Sequence, residues 1–205
     1  METTTLRTVA DALTAHGFHV RVFDDRQAVE RWLREEFAAV DTVGRGGSVT
    51  LDELGFDEII QSRGMKLFNH AKALPSKKRE TWRAAGSADA YFLSANALTA
   101  DGKIFNVDGA GNRVAAMSFG PKKVYYIVGK NKLVADLDEA HRRLEQVAAP
   151  KNVARLNLPT GCAKTGRCMD CGSPKRICNV YTVLARAPWA IEESWVLLVN
   201  EEMGY

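Results

Sequence analysis

Short apolar runs alternate with amphipathic stretches from one end of the chain to the other. Leu6, Val9, Ala10 and Leu13 recur at helical spacing and predict a helix over 3–16, with Gly17 as its stop. Residues 19–23 alternate as a strand does. Asp24 or Asp25 can cap the next helix, whose apolar face is Val29, Trp32, Leu33, Phe37 and Val40. Residues 38–43 lead into a strand. Helical stretches at 49–54 and 56–62 follow, then Gly64 and a strand over 65–69. A basic helix over 72–83 is entered at Pro75-Ser76. The small-residue turn at 84–90 opens into Tyr91-Phe92-Leu93. A strongly amphipathic helix over 135–147 carries Leu137, Ala140, Leu144 and Val147 on one face and is expected to break at Pro150. A short helix over 152–158 and strands over 179–186 and 195–200 complete the chain. Strands alternating with helices predict an α/β fold: a largely parallel sheet with helices on both faces.

The stretch 94–134 holds the densest alternation of Gly, Asn and Asp with apolar residues. Asp101-Gly102 is a two-residue hairpin signal, and residues 103–107 form the return strand. A glycine-flexed loop over 108–112 precedes a helix from Arg113 to Met117, which Gly120-Pro121 stops; 123–129 reads as a buried strand. Asn96, Asn106, Asp108, Asn112 and Arg113 fall at strand ends or in the loop after one. In open α/β sheets that edge binds ligands. Turn chemistry accounts for some of these Asn and Asp residues, but no turn needs Asn96 or Arg113.

A second glycine cluster, Gly44-Arg45-Gly46-Gly47-Ser48, lies between a strand and a helix. That order aims backbone N–H groups at an anion, or else makes a tight turn capped by Ser48. It is neither a P-loop nor a dinucleotide fingerprint, since both spacings fail. Gly46, Gly47 and Ser48 are the candidate anion binders, with Glu53 just beyond as a candidate acid or base.

The four cysteines, Cys162, Cys168, Cys171 and Cys178, crowd into one loop with spacing C-x5-C-x2-C-x6-C. Gly161, Gly166, Gly172 and Pro174 give the loop its bends. Four thiolates fit an iron–sulfur cluster or a closed zinc site, and reduced thiols are the plain alternative. Lys164, Arg167, Lys175 and Arg176 interleave with them and would favour thiolate.

Composition narrows the rest. The 205 residues suit one domain, with 46% hydrophobic and 26% charged content. A net charge of +3, with bases and acids interspersed, does not point to nucleic acid. No apolar run approaches a membrane span, and residues 1–5 lack a leader's basic and apolar regions, so a cytoplasmic protein is expected. No flavin or nicotinamide motif is present.

The motifs N-A-L-T-x-D-G (96–102), N-V-D-G-x-G-N-R-V-A-A-M (106–117) and F-G-P-K-K-V-Y-x-I-V-G-x-N-K (119–132) resemble the LUD domain, the lactate-utilisation family. The likeness extends to the first glycine loop and to the tail over 162–179, and is closest to small, single-domain members with a cysteine-bearing C-terminus. It implies one domain over 1–205, with the cysteine loop at 159–180. It also implies the fold shared by ribose-phosphate isomerases, glucosamine-phosphate deaminases and CoA transferases, where such a glycine loop holds phosphate or carboxylate. The implied role is a component of 2-hydroxy acid (lactate) oxidation, binding an anionic small molecule and working beside redox partner proteins, with iron–sulfur favoured over zinc. Two other readings stay open. One is a transferase or isomerase using Asp108 or Glu53 as acid, base or nucleophile and Arg113 as an anion clamp. The other is a zinc-stapled binding module.

Overall fold

The computed structural model of the chain describes residues 3–205. Met1 and Glu2, where the absence of a leader was read, lie outside the described residues. In chain order the elements begin with α1 (Thr3–Ala15), β1 (His19–Phe23), α2 (Arg26–Glu35), β2 (Thr42–Arg45), α3 (Val49–Glu53), α4 (Phe56–Ser62) and β3 (Lys66–Asn69). Then come α5 (Lys78–Gly86), β4 (Ala90–Leu93), β5 (Ala97–Thr99), β6 (Ile104–Asp108), α6 (Asn112–Ala116) and β7 (Lys123–Gly129). The chain ends with β8 (Leu133–Val134), α7 (Leu137–Arg143), α8 (Ala149–Arg155), α9 (Gly161–Thr165), β9 (Val180–Leu184) and β10 (Glu193–Val199).

The main sheet is six-stranded and wholly parallel, in the order β1-β10-β7-β4-β2-β3. Its central strands are buried on both faces, which is why they read as unbroken apolar runs. Alternate residues feed different cores. Tyr91, Leu93, Val124, Tyr126, Val128, Val196 and Leu198 join Leu6, Val9 and Leu13 of α1 on one face. Phe92, Tyr125, Ile127, Leu197 and Val199 join Val29, Leu33, Phe56 and Ile59 of α2 and α4 on the other. There Phe92 and Tyr125 stack with centroids 4.6 Å apart.

The expected Asp101-Gly102 hairpin forms, with Gly102 at φ +79, but it leaves the parallel sheet. Strands β5 and β6 pair antiparallel and, with β8 and β9, build a second four-stranded sheet that the one-sheet expectation did not include. The reason lies in Asn96 and Asn106, whose side chains tie the backbone after β4 to that of β6. The Asn96 amide donates to Asn106 Oδ1 (2.9 Å), and the Val107 amide donates to Asn96 Oδ1 (2.8 Å). The chain thus folds back on itself directly after β4. The final strand, β10, returns to the main sheet between β1 and β7, and only β9 joins the second sheet.

Pro150 does not break its helix. Helices α7 and α8 are joined by a wide turn over Leu144–Ala148, whose Ala149 amide reaches back to the Leu144 carbonyl. Pro150 has no N–H to continue this pattern, so the Glu145 carbonyl loses its helical donor. The Cys168 amide supplies the bond instead, at 2.8 Å. A proline inside a helix thereby ties the cysteine loop to the body of the protein.

Candidate functional site

The chain moves from β2 outward to β3, then returns to the other side of β2 as β4. This reversal opens a crevice at the carboxyl ends of β2 and β4, where open α/β sheets bind ligands. A cleft of about 240 Å³ lies there. Gly47, Ser48, Asn96, Asp108, Asn112 and Arg113 all line it, so the two polar stretches picked from sequence converge on one cavity. Gly46, Asn106 and Glu53 do not line it. Asn106 is fully buried and pins Ser94 O (3.2 Å) as well as the Asn96 amide. Glu53 accepts the Gly204 amide at 2.8 Å.

The glycine loop is held from beneath by Arg45, which is 3% exposed. Its guanidinium donates to the carbonyls of Gly46 (3.2 Å) and Ser48 (3.1 Å), to Asp52 (2.7 Å) and to buried Asp57 (2.6 Å). Asp57 also accepts from Asn69 (2.8 Å) and pairs with Lys72 (2.9 Å). Burial alone would raise the Asp57 pKa, but these hydrogen bonds outweigh it and hold the carboxyl below its ordinary value. Ser48 caps α3 by accepting the Leu51 amide (3.4 Å). The Gly46 amide is spent on Phe92 O (3.0 Å), and a side chain at Gly46 would strike Arg113 Cγ at 2.5 Å. Gly46 is therefore glycine to let the Arg113 stem pass.

Asp108 is equally committed. One carboxylate oxygen accepts the Arg113 and Val114 amides (2.7 and 3.2 Å) at the start of α6; the other takes Arg113 Nε (2.7 Å) and Nη2 (2.6 Å). Arg113 Nη2 also reaches Val107 O at 2.7 Å. The pair is a fixed strut at the cleft wall.

Among the lining residues that were not singled out from sequence, Lys132, His70 and Trp82 stand out. Lys132 is 3% exposed, and its Nζ donates to Thr50 Oγ1 and Ser94 Oγ, both at 2.8 Å. Burial, then Arg143 and Arg113 nearby, bring its pKa down to about 7, with Glu53 opposing. The signal was present: Lys132 follows the buried strand β7 at its carboxyl end, as Thr50 follows β2 and Ser94 follows β4. His70 and Trp82 face each other with rings 5.5 Å apart, and His70 Nδ1 and Trp82 Nε1 are buried without hydrogen-bond partners. Burial, Lys78 and Arg45 lower the His70 pKa to about 4, Arg113 adding to this and Asp108 opposing, so the ring is neutral. Lys78, Arg113, Lys132 and Arg155 line the cleft against a single carboxylate, Asp108.

All four cysteines border a second, smaller cavity, which shares Ala149, Ile177 and Cys178 with the cleft. None is in a disulfide. The Asp170 amide donates to Cys168 Sγ (3.3 Å), with Asp170 in the left-handed region at φ +43. Burial first, then Cys168, raise the Cys178 pKa to about 11, with Arg176 opposing. Arg176 braces the loop through the carbonyls of Cys178 (2.9 Å) and Cys171 (3.1 Å). Among the described residues, no group of three His, Cys, Asp or Glu side chains is already arranged to hold a metal ion.

The family model for the LUD domain matches residues 6–199. The chain belongs to the LUD-domain family. A solved structure of a DUF162 family protein from Deinococcus radiodurans resembles this LUD domain with a TM-score of 0.53 and 16% identity, over 96% of this chain and 97% of the other. That likeness concerns the fold. No curated protein matches the chain. The family is associated with lactate utilisation. No helix among the described residues is long and apolar enough to cross a membrane.

Proposed function

We propose that this LUD domain binds a small carboxylate- or phosphate-bearing acid in the cleft, as a component of 2-hydroxy acid (lactate) utilisation, and carries an iron–sulfur cluster on Cys162, Cys168, Cys171 and Cys178. The observation that carries the first part is the charge balance of the cleft. Lys78, Arg113 and Arg155 face one side-chain carboxylate, and that carboxylate is already occupied by Arg113 and the start of α6, so Lys78 and Arg155 remain as surplus positive charge. A walled cavity with surplus positive charge attracts and retains anions. His70, whose pKa burial lowers to about 4, lines the cleft without adding charge of either sign.

The donor set fits the second part. Four free thiols border one cavity, a backbone amide points at one sulfur, and Arg176 offsets thiolate charge. A cluster held there would supply one-electron transfer. The shared residues Ala149, Ile177 and Cys178 would bring it close to the acid in the cleft, and redox partner proteins would exchange electrons with it.

Two measurements on protein purified without oxygen test this reading. Elemental analysis is expected to find iron and sulfide, with visible absorption lost on air exposure; zinc alone, or no metal, refutes the cluster. Calorimetric titration is expected to show lactate, pyruvate or phosphate binding more weakly as salt rises, with lactamide silent. Silence across all the acids refutes the anion cleft.

A further inference from the structure

The lysine on the cleft wall differs in kind from the other cations there. Lys78, Arg113 and Arg155 have exposed or carboxylate-paired charge, whereas Lys132 is enclosed, touches no carboxylate and sits near Arg113 and Arg143. Both the loss of water and the like charges favour its neutral amine. A neutral amine does not hold an anion; it offers a lone pair.

The hydroxyls around it are ordered for that form. Thr50 Oγ1 lies 3.3 Å from the Met203 carbonyl and 3.4 Å from Ser94 Oγ, either of which can take its proton. The Thr50 oxygen is thus left to accept from Nζ. Ser94 can turn: it accepts from the ammonium or donates to the lone pair of the amine across the same 2.8 Å. All three groups come from the segments after the adjacent strands β2, β4 and β7, Thr50 from the first turn of α3, on the rim where the cleft opens.

We propose that Lys132 Nζ is a nucleophile that forms a Schiff base with the carbonyl carbon of a small α-keto acid, with Arg113 drawing its carboxylate and Ser94 relaying the proton. This rests on the cleft being an anion site. The lone pair of Nζ forms the C–N bond as the carbonyl π bond opens. One proton leaves nitrogen through the Ser94 hydroxyl and arrives on the former carbonyl oxygen, giving the carbinolamine, and the second N–H proton then follows the same relay onto that hydroxyl. Loss of that oxygen as water leaves the C=N bond, and no oxidant or reductant is consumed. The class of ligand follows from the pairing of an amine with a guanidinium on one wall: a carbonyl next to a carboxylate, the oxidised partner of a 2-hydroxy acid.

The test is reductive trapping of the native protein with pyruvate and cyanoborohydride, mapped by peptide mass spectrometry. The expected result is a reduced adduct on Lys132, formed at least tenfold faster than on surface lysines outside the cleft such as Lys151, and accelerating as pH rises through neutrality. Lys132→Arg should lose this adduct, and Ser94→Ala should slow it. Adducts confined to surface lysines, or no preference for Lys132, overturn the proposal; because this readout is made on the wild-type chain, it does not depend on a variant folding. Calorimetry with pyruvate in the same preparation separates the two claims. Binding without an adduct removes the nucleophile and leaves the anion cleft standing, while the absence of both removes the two together.

Discussion

The cleft and the cysteine loop adjoin, yet they are built in opposite ways. The cleft stands at the carboxyl ends of buried parallel strands, and its charged groups are fixed by bonds made inside the protein. Arg45, Asp57, Asp108 and Lys132 are each at most 5% exposed. The cysteine loop lies across the outside of α8 and is held mainly through main-chain contacts, such as Cys168 N to Glu145 O. Its thiols border a cavity but do not yet form a metal site among the described residues. The cleft is organised before a ligand arrives, at the cost of burying charge. The loop leaves its donors uncommitted, so order there is to be gained from what binds.

The hardest test of that contrast is Arg45→Ala. It leaves the buried Asp57 carboxylate with only Asn69 and the exposed Lys72 and frees the Gly46 and Ser48 carbonyls, and is expected to cost about 3–5 kcal/mol. Urea unfolding checks it; a loss below about 1 kcal/mol would mean that the strut beneath the cleft is dispensable.

Lys132 gives the next largest effect, and its sign can be worked out. The unfolded lysine holds its proton up to the ordinary value of 10.5, whereas the folded one releases it near 7. Between those values the unfolded chain binds more protons, so wild-type stability rises with pH by about 1 kcal/mol per unit from this group. Below pH 7 both forms are protonated and the full cost of burying the charge is present. Lys132→Met should therefore lead wild type by the most at pH 6, and the lead should shrink steadily toward pH 9. Parallel stability curves for the two proteins would show that Lys132 keeps an ordinary pKa.

These two residues also mark where sequence reading stops. The parallel strands were legible because burial on both faces leaves an apolar run, and the hairpin because Asp-Gly has few other uses. Asp108, Asn112, Arg113 and Gly47 were legible as site candidates because strand ends and glycine loops are where α/β sheets bind. Lys132 carried the positional signal of a strand end but was passed over, because one lysine after an apolar strand reads as a surface charge until Thr50 and Ser94 are known to enclose it. The Arg45–Asp57 strut was hidden: a pairing between side chains twelve residues apart has no sequence pattern. Pro150 misled, since its usual effect is to end a helix, and only the wide turn before it lets the helix continue.

The loop side of the comparison predicts a small effect. Replacing all four cysteines by serine should change the stability of the metal-free protein by about 1 kcal/mol, because little of the core depends on the loop. The same variant should lose any bound iron. If the metal-free variant unfolds by several kcal/mol, the loop is part of the core and the contrast fails.

The finest distinction separates two adjacent glycines. A Cβ at Gly46 would sit 2.5 Å from Arg113 Cγ and 3.2 Å from the Tyr91 hydroxyl, so Gly46→Ala must displace the arginine from Asp108. That overpacking should cost about 1–3 kcal/mol and weaken acid binding with it. A Cβ at Gly47 meets only the His70 ring, Cε1 at 3.8 Å and Nε2 at 3.9 Å, both ordinary contacts. Gly47→Ala should therefore fold within about 0.5 kcal/mol of wild type. The added methyl instead occupies the cleft beside the neutral imidazole, where a ligand would lie. Calorimetry should then find weaker acid binding in a protein whose unfolding curve overlays the original. If Gly47→Ala binds acids as wild type does, the ligand sits away from the glycine loop, and the Arg113 wall must hold it.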